Sequence, residues 1–151
     1  MQKRNIHYKS GYKHQLAAAY EIQTEIYPTE HVEVVNFIDL RIDGLLTVRQ
    51  NYAWDGATAI IDTRYNLRAS LVHDALYQLM REGSLSREYR DTADKLFRQL
   101  CVEDGVFPVI ASGYYWALRQ FGEAAINSEN ARKVKYAPGY KYGEELYKTD
   151  T

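Results

Sequence analysis

The chain has 151 residues, 46% of them hydrophobic and 26% charged, with a formal net charge of −1. That is enough for one domain with a real core, and the near-neutral balance gives no general attraction to nucleic acid or to an anionic membrane. Cys101 is the only cysteine, which excludes an intrachain disulfide and a zinc-type cysteine cluster and suits a reducing compartment.

Residues 1–14 carry Lys3, Arg4, Lys9 and Lys13 and no acid, a basic arm that is either a solvated terminus or a contact for phosphates. The arm contains no apolar stretch, so no signal peptide is expected. Tyr20, Ile22, Thr24 and Ile26 then alternate with Glu21, Gln23 and Glu25, the period of a half-buried strand, which Pro28 ends. FIDLRI and LLTVRQ flank Asp43–Gly44, and such a pair between β-rich runs predicts a hairpin. Ile38, Leu40 and Ile42 share one face of its first arm. The second arm runs towards Tyr52 and stops at WDGAT, a loop centred on Gly56.

The remainder reads as helical. Asn66 is placed to cap a helix whose apolar stripe is Leu67, Leu71, Ala75, Leu76 and Leu79, with Gly83 as its stop. Ser86 is placed to cap a second helix with the stripe Tyr89, Ala93, Leu96, Phe97 and Leu100, ended by Gly105; Glu103 and Asp104 read as its exposed end. Pro108 opens a third helix, VIASGYYWALRQF, which is apolar on most sides and is predicted to be central. The longest apolar region, Val106 to Leu118, is too short to span a bilayer and is interrupted by Pro108 and Gly113.

The expected architecture is α+β: N-terminal antiparallel strands with a hairpin, then a three-helix part containing an antiparallel helical hairpin. One domain covers residues 1–126, with residues 127–151 a polar, Tyr-rich tail docked through Tyr136, Tyr140 and Tyr142. Fourteen tyrosines against four phenylalanines suit half-buried surfaces and interfaces.

The chemistry-bearing residues lie on the helical hairpin. His73, in LVHDALY, and Asp94, in TADKLF, each sit roughly 15 Å from the turn near Ser84 at 1.5 Å rise per residue, on antiparallel neighbours. They meet if both face the groove. Tyr77, one turn after His73, brings its hydroxyl within reach of Asp94. Asp74 points about 100° away from His73. Asp94 would then fix the tautomer of His73, whose other nitrogen could take a proton from water. Asp74, with Asp55 and carbonyls of the WDGAT loop, would offer hard oxygen ligands that favour Ca²⁺ or Mg²⁺ over zinc. A buried His bonded to an Asp on the next helix is equally a structural pair.

HDALY, followed at this distance by the Asp of TADKLF, resembles the phospholipase A2 signature, especially its disulfide-free parvoviral form. The similarity covers residues 51–101. It implies His73 as general base, Asp94 as its orienting partner, Tyr77 as support for Asp94, and Ca²⁺ held by Asp74 with carbonyls near Tyr52 to Gly56, including Trp54. WDGAT departs from that family in having one glycine and a carboxylate, Asp55, where the family uses carbonyls. A longer stretch, comprising the DGAT loop, HDxLY, ADxxF and a Tyr- and Gly-containing third helix, resembles a family of small phage and prophage proteins without an assigned activity. That resemblance implies a phage origin, with residence in the infected host cytoplasm or the virion.

Two functions follow as expectations. One is a Ca²⁺-dependent hydrolase of phospholipid or envelope esters. The other is a non-catalytic phage structural, assembly or host-interaction protein, partnered by other phage proteins, in which the His–Asp pair is structural. A metal phosphohydrolase of the HD class would need another upstream His on a helix, and His31 lies in a β-like stretch.

Overall fold

A computed structural model describes residues 8–10, 14–55, 60 and 63–127, the first three as backbone. The alternating first third forms two antiparallel sheets. The smaller contains β1 (Tyr8–Ser10), β2 (His14–Leu16) and β7 (Ala53–Trp54), in the order β1-β2-β7. The larger contains β3 (Tyr20–Gln23), β4 (Val32–Val34), β5 (Ile38–Leu40) and β6 (Leu45–Val48), in the order β3-β6-β5-β4. Its register aligns Tyr20, Val48, Ile38 and Val34 in one cross-strand row, and Ile22, Leu46, Leu40 and Val32 in the next. One face is therefore apolar, and the other presents Glu21, Thr47, Asp39 and Glu33.

The predicted hairpin forms between β5 and β6, but β5 stops at Leu40. Ile42 belongs to the turn and is 61% exposed, not on the inner face. Gly44 has φ +84°, and a Cβ there would lie 2.6 Å from the Thr24 carbonyl oxygen, so both conformation and space require glycine.

Three helices follow: α1 (Leu67–Arg81), α2 (Arg90–Glu103) and α3 (Pro108–Phe121). Gly83 (φ +78°) and Gly105 (φ +110°) end α1 and α2 in left-handed conformations. At Gly83 the amide of Ser84 reaches the Leu79 carbonyl at 2.9 Å; at Gly105 that of Val106 reaches the Cys101 carbonyl at 2.9 Å. These bonds give the last-turn carbonyls partners and turn the chain back sharply. Asn66 precedes α1 without capping it; its Oδ1 accepts from Thr63 N instead. Ser86 caps a short 3₁₀ turn, Arg87–Tyr89, that leads into α2.

The expected centre of the helical layer is corrected. α1 is buried on almost every side, packing against α2 and contacting β4 and β7. α3 packs on α2 and buries only Ala111 and Leu118 fully. Hydrophobicity marks both helices as apolar, but α1 alone lies between the sheets and another helix. One hydrophobic cluster runs from Leu16 to Ile126 through strands and helices alike. No helix among the described residues is long and apolar enough to cross a membrane. Most of the basic arm and the tail, with Tyr136, Tyr140 and Tyr142, lie outside the described residues.

Candidate functional site

α1 and α2 run antiparallel, and the hairpin brings His73 against Asp94 as the spacing predicts. His73 Nε2 lies 2.7 Å from Asp94 Oδ1, and the Tyr77 hydroxyl donates to the same oxygen at 2.5 Å. Arg119 of α3 donates to the other oxygen, Oδ2, at 3.0 Å. Arg90, one turn before Asp94, donates to the Tyr77 hydroxyl at 3.3 Å and to the carbonyls of Leu118 and Arg119 at 2.8 and 2.9 Å. The last turn of α3, where the Leu118 carbonyl accepts from both Gly122 N and Arg90, thus closes over the pair. Rings complete the enclosure: His73 lies 3.9 Å from Tyr77 and 5.4 Å from Phe97, centroid to centroid. Gly122 leaves room for this junction, because a Cβ there would come within 2.7 Å of the Tyr77 hydroxyl.

Burial and charge set the protonation states. Asp94 is fully buried, and only 4% of the His73 side chain is exposed. Burial is the largest influence on His73 and holds its pKa below the usual value, although the Asp94 bond opposes the shift. Burial also pushes Asp94 upward. The bonds from His73, Tyr77 and Arg119 outweigh it and hold the carboxyl below its usual value. Burial, reinforced by the bond to Asp94, raises the Tyr77 hydroxyl. A neutral imidazole therefore donates from Nε2 to an ionised carboxylate, leaving Nδ1 as the nitrogen a hydrolytic scheme would offer to water.

The expected cation ligands reach a different side of α1. The Trp54 indole donates to Ser70 Oγ at 2.9 Å, and the Tyr52 hydroxyl donates to Gln78 Oε1 at 3.1 Å. Ser70, Asp74 and Gln78 are spaced by one helical turn, so half-buried Asp74 sits between these two anchors, on the side of α1 that receives residues 52–54. Asp55 follows, also half-buried; Gly56 lies outside the described residues. The Tyr52 carbonyl already accepts from Leu16 N at 2.8 Å, within the small sheet. Asp74 and Asp55 are the two carboxylates of the expected ligand set that lie among the described residues. Among the described residues, only His31, Glu33 and Asp39 form a group of three His, Cys, Asp or Glu side chains close enough to share an ion. They lie near the polar sheet face, where Arg49 already bonds Asp39 at 2.7 Å.

Two features escape sequence reading. Arg90 is one helical turn from Asp94, a spacing that marks it as a neighbour; Arg119 has no local signal. Glu103 and Asp104 end α2, with Glu103 exposed as expected, but they also hold Arg68, which is 2% exposed. Arg68 donates to Asp104 at 2.9 and 3.0 Å, to Glu103 at 2.9 Å and to the Tyr20 hydroxyl at 3.2 Å. Cys101 is fully buried, with burial pushing its thiol up to about 12, so it behaves as a small core residue.

Family models, curated proteins and solved structures were compared with the chain, and none matches it.

Proposed function

We propose that this chain is a non-catalytic assembly or host-interaction protein, of the phage type its motifs resemble, in which the His73–Asp94 pair is structural. One observation carries the reading: the imidazole is enclosed, and both oxygens of its carboxylate already have donors from α1 and α3. A general base must meet water and substrate, whereas a structural pair must have its polar atoms satisfied. The phage setting rests on the motif resemblance alone.

Hydrolysis is the second reading. It is supported by the arrangement of His73 and Tyr77 on one Asp94 oxygen, with Asp74 facing the 52–55 segment. Ca²⁺ on Asp74 and Asp55 would supply charge for an ester oxyanion. One experiment separates the two. Wild-type protein with Ca²⁺ and mixed phospholipid vesicles should release no fatty acid, while His73→Asn lowers stability in urea melts by about 1–3 kcal/mol through an ill-matched buried partner. Fatty-acid release that His73→Asn abolishes in a folded protein would reverse the choice.

A further inference from the structure

α3 presents an outward face that no described element covers. Phe107, Val109, Ile110, Trp116 and Phe121 are all exposed, Val109 by 79% and Trp116 by 62%. Helical spacing puts Val109, Ile110, Gly113, Trp116, Ala117 and Gln120 on one side, with Phe121 at its margin and no Asp, Glu, Lys or Arg among them. An apolar patch of this size on a small domain marks an interaction surface.

Gly113 sits at its centre. The glycine lacks positive φ, and a Cβ built there meets nothing within 4 Å. Packing among the described residues therefore does not call for glycine, although mid-helix glycine costs about 1 kcal/mol relative to alanine. Its effect is to let another backbone come close.

We propose that α3 docks on α3 of a second copy, antiparallel, about a two-fold axis at Gly113. The patch suits itself. Trp116, three residues after Gly113, would pack near Val109 and Ile110 of the other copy, four and three residues before its Gly113, and the reciprocal contact repeats. The absence of charge removes what an acidic or basic partner, or an anionic membrane, would select. Val109, Ile110, Trp116 and Phe121 expose roughly 500 Å² per copy, so a pair sits at the weak, concentration-dependent end of specific interfaces. The inference rests on the assembly reading for its purpose. Its test reads mass rather than turnover, so its failure leaves that reading standing with another partner.

Sedimentation velocity on the full chain tests it. Wild type should shift from one-chain to two-chain mass with concentration, and Trp116→Glu should raise the dissociation constant at least tenfold without changing the thermal melt. Val109→Glu provides the same test should Trp116→Glu fail to fold. Gly113→Cys should cross-link two chains under mild oxidation, because an axis at this residue brings the two Cα atoms within disulfide range; Cys101 is buried and does not compete. Three results overturn the proposal. They are one-chain mass at about 100 µM, as expected if residues 128–151 or another partner cover the face; a dimer that both glutamate variants leave intact; and a dimer in which Gly113→Cys fails to cross-link.

Discussion

The α1–α2 hairpin contains two buried centres, one built around a cation and one around an anion. Near its open end Arg68 is surrounded by Glu103, Asp104 and the Tyr20 hydroxyl. Farther along, Asp94 is surrounded by Arg119, the Tyr77 hydroxyl and His73. The first joins α1 to α2 and β3; the second joins α1 to α2 and α3. Only the second contains a motif associated with catalysis, yet both have the same design, a central charge satisfied from three sides. What differs is access to water. The partners of Arg68 are 37% and 16% exposed, while Asp94 has His73 at 4% and Arg119 at 29%. The comparison places the His73–Asp94 pair beside a second buried charge that has no catalytic motif.

That difference ranks the expected effects. Asp94→Ala should destabilise most, by about 3–5 kcal/mol in urea melts, because it leaves Arg119 and the buried Tyr77 and His73 groups facing a void. Arg68→Met should cost less, about 2–3 kcal/mol, because Glu103 and Asp104 can turn to water while the Tyr20 hydroxyl cannot. Equal losses would erase the contrast between the two centres.

A smaller effect concerns pH. Burial holds His73 below its usual 6.5, so below that pH the unfolded chain binds the proton that the fold resists. Stability present above pH 6.5 is lost as pH falls towards the native value. Asp94, held below its usual 3.8 against the upward push of burial, adds a later loss as pH falls through its own native value. Melts of wild type and His73→Gln between pH 8 and 5 should therefore converge as pH falls, and parallel curves would show an imidazole open to solvent. Glu103→Gln should be the mildest change, at about 0–1 kcal/mol, since its carboxylate is partly exposed and Asp104 remains on Arg68. A larger loss would place Glu103, rather than Asp104, as the main partner of Arg68.

Much of this centre is legible in the sequence. The 3.6-residue stripes of α1 and α2, with glycine after each, give an antiparallel pair, and equal distances from the turn place His73 opposite Asp94. The Asp43–Gly44 hairpin is legible for the same local reason. What escapes is set by partners distant in sequence. β2 and β4 have three residues each, too few to show alternation, and β2 is defined by its pairing with β1 and with Ala53–Trp54. Arg68 finds Glu103 and Asp104 at the far end of α2. Periodicity shows that α3 is apolar, but not that one flank would be left uncovered.

Arg90 grips α3 by its final turn, and Arg119 ties that same turn to Asp94. α3 is also fastened along its length, since Tyr115 donates to Asp91 at 2.6 Å and Tyr114 packs edge-on against Phe97. A load on its outer flank therefore passes first into α2, and reaches α1 only through Asp94, Arg90 and the Tyr77 hydroxyl.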